Sequence, residues 1–78
     1  MIEIHIIMGK TLGDSLKERR KQLRMTQFDL AELAGISANT LYKIERNQAN
    51  PTLAVIEKIT LILGLELSLS IAQVNINR

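Results

Sequence analysis

The chain contains no cysteine. That removes disulfides, thiolate metal sites and thiol nucleophiles at once, and it is compatible with a reducing compartment. Tryptophan is absent too, and histidine occurs once, as His5. One histidine without thiolates is too few ligands for a zinc site, and on an alternating strand His5 reads as a solvated residue. No glycine-rich loop cradles a phosphate, and no carboxylate cluster has a base beside it. The chain is therefore expected not to be an enzyme and to use no cofactor. Long apolar runs are also missing. Residues 59–65 form the longest late run, interrupted by Thr60 and Gly64, whereas a bilayer span needs ~20 apolar residues. The early run from Ile2 to Met8 is broken by Glu3 and His5 and has no basic leader, so it does not read as a targeting segment. A cytoplasmic protein without a membrane partner is expected.

What is present fits one small domain over residues 1–78. Hydrophobic residues make up 46% of it. A chain this short hides only ~60% of its unfolded surface, so that content means a dense core or an apolar face kept for a partner. Ten basic residues stand against eight acidic ones, and the pI is near 9.3. The excess is local. From Lys10 to Arg46 there are eight basic and five acidic residues, which leaves two and three elsewhere. Such a balance permits a polyanion partner.

Period two over residues 2–7, with Ile2, Ile4 and Ile6 on one side, predicts a strand. Thr11 then caps a helix from about Leu12 to Arg24. Thr26 caps a second, with Leu30, Ala31, Leu33 and Ala34 at helical spacing until Gly35. Ser37 caps a third, which places Leu41 and Ile44 on one face. The segment Arg46 to Pro51 is a polar loop, and Thr52 caps a fourth helix running to Gly64. Beyond it, Leu65, Leu67, Leu69 and Ile71 alternate with polar residues, a second strand. The fold is thus mainly α: four to five helices, with short terminal strands forming a small sheet expected to lie between subunits.

The informative segment is the helix pair from Gln27 to Glu45. Ala31 allows a close crossing, Gly35 allows a sharp turn, and Ile36, Leu41 and Ile44 anchor the second helix. These are the requirements of a DNA-reading helix-turn-helix. Ser37, Ala38, Asn39, Tyr42 and Lys43 are left on its outer side. The longer string is Thr26-Gln27-x-x-Leu30-Ala31-x-x-Ala34-Gly35-Ile36-Ser37-x-x-Thr40-Leu41-x-x-Ile44-Glu45-Arg46-Asn47, followed by Asn50-Pro51-Thr52-Leu53 and preceded by Leu12-Gly13-x-x-Leu16-x-x-x-Arg20. It resembles the Cro/C1-type (XRE family) helix-turn-helix repressors over about residues 11–65. The resemblance implies a lambda-repressor-like helical domain that binds double-stranded DNA as a homodimer on a near-palindromic operator.

It also implies roles. Gln27 would touch phosphate and brace the recognition helix. Ser37, Ala38, Asn39 and Thr40 would lie at base edges, with Lys43 and Tyr42 one turn on, and Arg46 and Asn47 would contact phosphate. Arg20 and Glu45 would form a structural ion pair. Two positions depart from the pattern. Ala38 replaces an amide side chain and offers only a methyl, suited to thymine. Phe28 stands where a polar residue is usual, and packing on the N-terminal strand is the expected use. Asn39 keeps the chemistry to bond adenine N6 and N7 together, worth ~1–3 kcal/mol of discrimination.

The fourth helix has more apolar residues than one face uses. Leu53, Ile56, Ile59 and Leu63 are assigned to the core. Val55, Leu61 and Ile62, with strand residues Leu67, Leu69 and Ile71, are assigned to a homodimer interface. The second strand is expected to pair with the first, with its two-fold mate, or with both. A strand after Leu63-Gly64-Leu65-Glu66-Leu67 also resembles the HipB-type antitoxins, which implies a toxin protein as a further partner. The competing function is a helix-turn-helix used only for protein–protein contact.

Overall fold

The computed structural model describes residues 2–4 and 11–68. Its elements run β1 (Ile2–Ile4), α1 (Leu12–Gln22), α2 (Gln27–Ala34), α3 (Ala38–Glu45), α4 (Leu53–Ile62) and β2 (Leu65–Leu67). Each helix starts at a hydroxyl. Thr11, Thr26, Ser37 and Thr52 all hold extended backbone, and each accepts the N–H three residues on. At α2 the cap is reciprocal: the Asp29 carboxylate accepts the Thr26 N–H at 3.2 Å, so two orphan donors are satisfied together.

Helix ends are set by left-handed residues. At the end of α2, Gly35 has φ +68°, and the Ile36 and Gly35 N–H groups return to Ala31 and Glu32. The same paired closure ends α1 at Arg24 (φ +57°) and α3 at Asn47 (φ +61°). The helix expected to reach Arg24 therefore stops at Gln22, because Arg24 leaves the right-handed region.

Leu16, Leu30, Ala31, Ala34, Leu41, Ile44, Ile59, Leu63 and Leu65 form the core, drawn from all four helices and β2. On the fourth helix Ile59 and Leu63 lie in the core as expected and Ile56 is half-buried, but the rest of the face differs. Leu53 is 61% exposed, whereas Val55 and Ile62, assigned to an interface, pack against the protomer's own core. A helix rich in aliphatics all round has no unique apolar face, so packing against α2 and β2 chooses one. On α2, Leu33 also faces solvent.

The strands pair within one chain, parallel, with Ile2 opposite Leu65 and Ile4 opposite Leu67. Of the pairings expected, this is the intrachain one. Among the described residues the pairing reaches Ile4 and Leu67, and residues 5–7, Leu69 and Ile71 lie outside them.

Candidate nucleic-acid interface

The α2–α3 unit is locked from beneath by a buried polar hub. Arg20 donates through Nε and Nη2 to the two Glu45 oxygens at 2.7 and 3.1 Å, and through Nη1 to the Met25 carbonyl at 2.7 Å. Their side chains are 8% and 1% exposed. Gln27 Nε2 donates to Glu45 Oε1 at 2.9 Å. One carboxylate at the end of α3 thus ties α1, α2 and α3 together. Bidentate geometry and a third donor are what a carboxylate needs to remain buried. Among the described residues no buried side-chain N or O lacks a partner.

A second clamp joins the far ends of α1 and α3. Asn47 Oδ1 accepts the Gly13 N–H at 3.1 Å, and its Nδ2 donates to Thr11 Oγ1 at 2.8 Å. The approach is close enough that a Cβ on Gly13 would lie 2.5 Å from the Ile44 carbonyl oxygen. Asn47, read as a phosphate contact, has its side chain engaged inside the protomer. Its sequence offers two signals: asparagine tolerates left-handed backbone, and a glycine in a helix's first turn asks for a reason.

Above these clamps α3 turns an open face outward. Ser37, Ala38, Asn39, Thr40, Tyr42 and Lys43 are all exposed. The Ser37 hydroxyl accepts the Thr40 N–H at 3.0 Å and donates to Thr40 Oγ1 at 2.8 Å. Its proton is spent within the turn, so Ser37 is a cap first, and the outward donor of the pair belongs to Thr40. The Ala38 and Asn39 N–H groups precede the first intrahelical acceptors and have no partner among the described residues. No acidic residue sits in this first turn, whereas α1 and α2 carry Asp14 and Asp29 in theirs. The positive end of α3 is therefore open to an anion or a base edge.

Lys17, Lys21, Arg24, Lys43 and Arg46 are exposed. The Arg46 guanidinium lies over the Tyr42 ring, 5.3 Å from its centroid. Arg19 is not part of this solvated set: its Nε donates to the Leu63 carbonyl at 3.0 Å and caps α4, a long-range contact with no local signal. Phe28, expected to pack, is 66% exposed on α2. Among the described residues no helix is long and apolar enough to cross a membrane.

Comparison with known proteins agrees with this geometry. A helix-turn-helix family model matches residues 16–69. The immunity repressor of Bacillus phage phi105 is 40% identical over 58 residues, covering 74% of this chain and 40% of that protein. The transcriptional regulator SinR of Bacillus subtilis is 38% identical over 53 residues, 67% of this chain and 48% of SinR. The chain thus spans less than half the length of these two relatives. Among solved structures, the restriction-modification controller protein C.AhdI from Aeromonas hydrophila superposes with a TM-score of 0.67 at 33% identity, over 69% of this chain and 82% of that one. SinR in complex with DNA gives 0.67 at 35% identity, over 72% and 90%.

Proposed function

The chain belongs to the helix-turn-helix family of Cro/C1 (XRE) type, and on that premise we propose that it is a sequence-specific transcriptional repressor that occupies a near-palindromic operator as a homodimer. The observation that carries this reading is the open first turn of α3. It presents Asn39, the Ala38 methyl and the Thr40 hydroxyl on a helix whose inner face is fixed by the Arg20–Glu45–Gln27 hub. Asn39 is the base reader, bonding adenine in the major groove. Ala38 meets a thymine methyl. Lys43 and Arg46 take phosphates beside the groove. Gln27 braces α3 through Glu45 and keeps a second amide hydrogen for the DNA backbone. The DNA complex of SinR, to which this fold is similar, supports the DNA-binding reading.

The homodimer rests on exposed aliphatics. Leu61 is 70% exposed and shares the outer side of α4 with Ala54 and Leu53. Leu67 in β2 is half-buried, and Val55 and Ile62 contribute only their outer edges. A two-fold mate on this surface, with Leu69 and Ile71 extending it, would hold two α3 helices ~34–36 Å apart, one turn of DNA. Sedimentation at micromolar concentration is expected to give a dimer; a monomer there overturns that part.

DNA binding is tested by titrating salt from about 50 to 200 mM, where a protein neutralising several phosphates loses affinity steeply. Asn39→Ala should weaken binding to operator-region DNA far more than to unrelated duplex. Equal losses remove Asn39 as a base reader, and no shift at low salt favours a module that binds only protein. The SinR–SinI complex, to which the fold is also similar, shows a relative engaged by a second protein. It supports engagement by a second protein as the second reading, and with β2 directly following α4 we propose a toxin as that partner. Co-purification of an untagged toxin encoded beside this chain tests it. Either role places the protein in the cytoplasm.

A further inference from the structure

Tyr42 stands on the exposed side of α3, and nothing in the fold requires an aromatic ring there. The residue is 44% exposed and takes no part in the buried core cluster. What it does touch is Arg46, one turn on, whose guanidinium carbon lies 5.3 Å above the ring centroid. Arg46 is the last residue of the helical path, with φ −93° and its N–H bonded back to Tyr42. Its backbone is therefore fixed, by the closure at Asn47 and by the clamp that Asn47 makes on Gly13 and Thr11. The side chain is exposed and makes no ion pair among the described residues. A free arginine on a surface samples many rotamers, and ordering it on binding has an entropic cost. Stacking on a ring removes much of that freedom while leaving the N–H edge of the planar group uncovered.

We propose that Tyr42 is a positioning residue for a phosphate contact: its ring holds the Arg46 guanidinium so that the free N–H edge meets one DNA phosphate beside the major groove. The proposal rests on the DNA-binding reading above. It divides the end of α3 between two neighbours. Arg46 faces DNA, preorganised by Tyr42, and Asn47 bonds to Gly13 and Thr11, holding the turn. It also gives the ring a use that does not involve reading a base.

The test measures affinity for a mixed-sequence duplex by anisotropy across about 50 to 200 mM salt. It compares the wild-type chain with Tyr42→Phe, Tyr42→Leu, Arg46→Ala and the Leu/Ala double variant. Arg46→Ala should lower the salt slope by about one phosphate's worth. Tyr42→Leu keeps every charge and should weaken binding about two- to fivefold, the size of an exposed cation–π contact. Tyr42→Phe keeps the ring and should bind as wild type. In the Arg46→Ala background, Tyr42→Leu should cost nothing further. Matched melting temperatures show that each exposed substitution leaves the fold intact. Additive losses in the double variant, or a Tyr42→Phe loss equal to that of Tyr42→Leu, would overturn the proposal while leaving DNA binding in place. A wild-type chain that ignores the duplex at low salt overturns the DNA-binding reading and this proposal with it.

Discussion

Replacing Arg20 by alanine should come close to unfolding the domain. The Glu45 carboxylate, 1% exposed, would keep one donor, Gln27, and lose two charge-assisted bonds from Arg20. The Met25 carbonyl would lose its Nη1 partner as well. Breaking one side of a buried pair costs ~3–5 kcal/mol. A domain of 78 residues has about 4–12 kcal/mol of stability in total. At 4–8 °C per kcal/mol for this size, Tm should fall by roughly 12–40 °C. The assay is a thermal melt by circular dichroism, with a urea titration, both at one fixed protein concentration. A paired variant, Arg20→Met with Glu45→Leu, separates the worth of the pair from the penalty of orphaning a charge. Apolar replacement of both partners is often neutral or stabilising, so it should recover most of the loss. An Arg20→Ala melt within about 1 kcal/mol of wild type, the range of a surface ion pair, would refute the hub as the lock on α3.

Four further substitutions probe the clamp between α1 and α3 and the closure of α1. Gly13→Ala places a methyl 2.5 Å from the Ile44 carbonyl oxygen, and α1 must shift from α3 to admit it; a loss of ~1–3 kcal/mol in a urea titration is expected. Asn47→Ala loses both bonds to the start of α1 and puts a Cβ residue without local compensation at φ +61°, for about 2 kcal/mol; Asn47→Gly should recover about half of it, and equal losses would mean that backbone strain contributes nothing. Arg24→Gly removes a left-handed arginine at φ +57° and should raise stability by up to about 1 kcal/mol in the same titration.

Helix starts were legible because each is a local device: a hydroxyl at Thr11, Thr26, Ser37 or Thr52 bonds an N–H three residues away. The ends were legible where glycine marks them, as at Gly35, and not where Arg24 takes the same conformation against its own preference. The exposed face of α3 could be read from its short polar residues. Which of its oxygens and amides remain free could not, because the answer lies in bonds such as Ser37 to Thr40 and Asn47 to Thr11. The fourth helix misled for another reason. Leu53 and Val55 are interchangeable on composition, and only contact with the rest of the core puts one outside and the other inside.

Selection from a pool of random duplexes puts the reading helix to the most direct trial. A paired reader should enrich one site built of two inverted half-sites, centred ~10–10.5 base pairs apart, and Asn39→Ala should relax one position in each half. No enrichment above non-specific binding, or an enriched site left unchanged by Asn39→Ala, would contradict it.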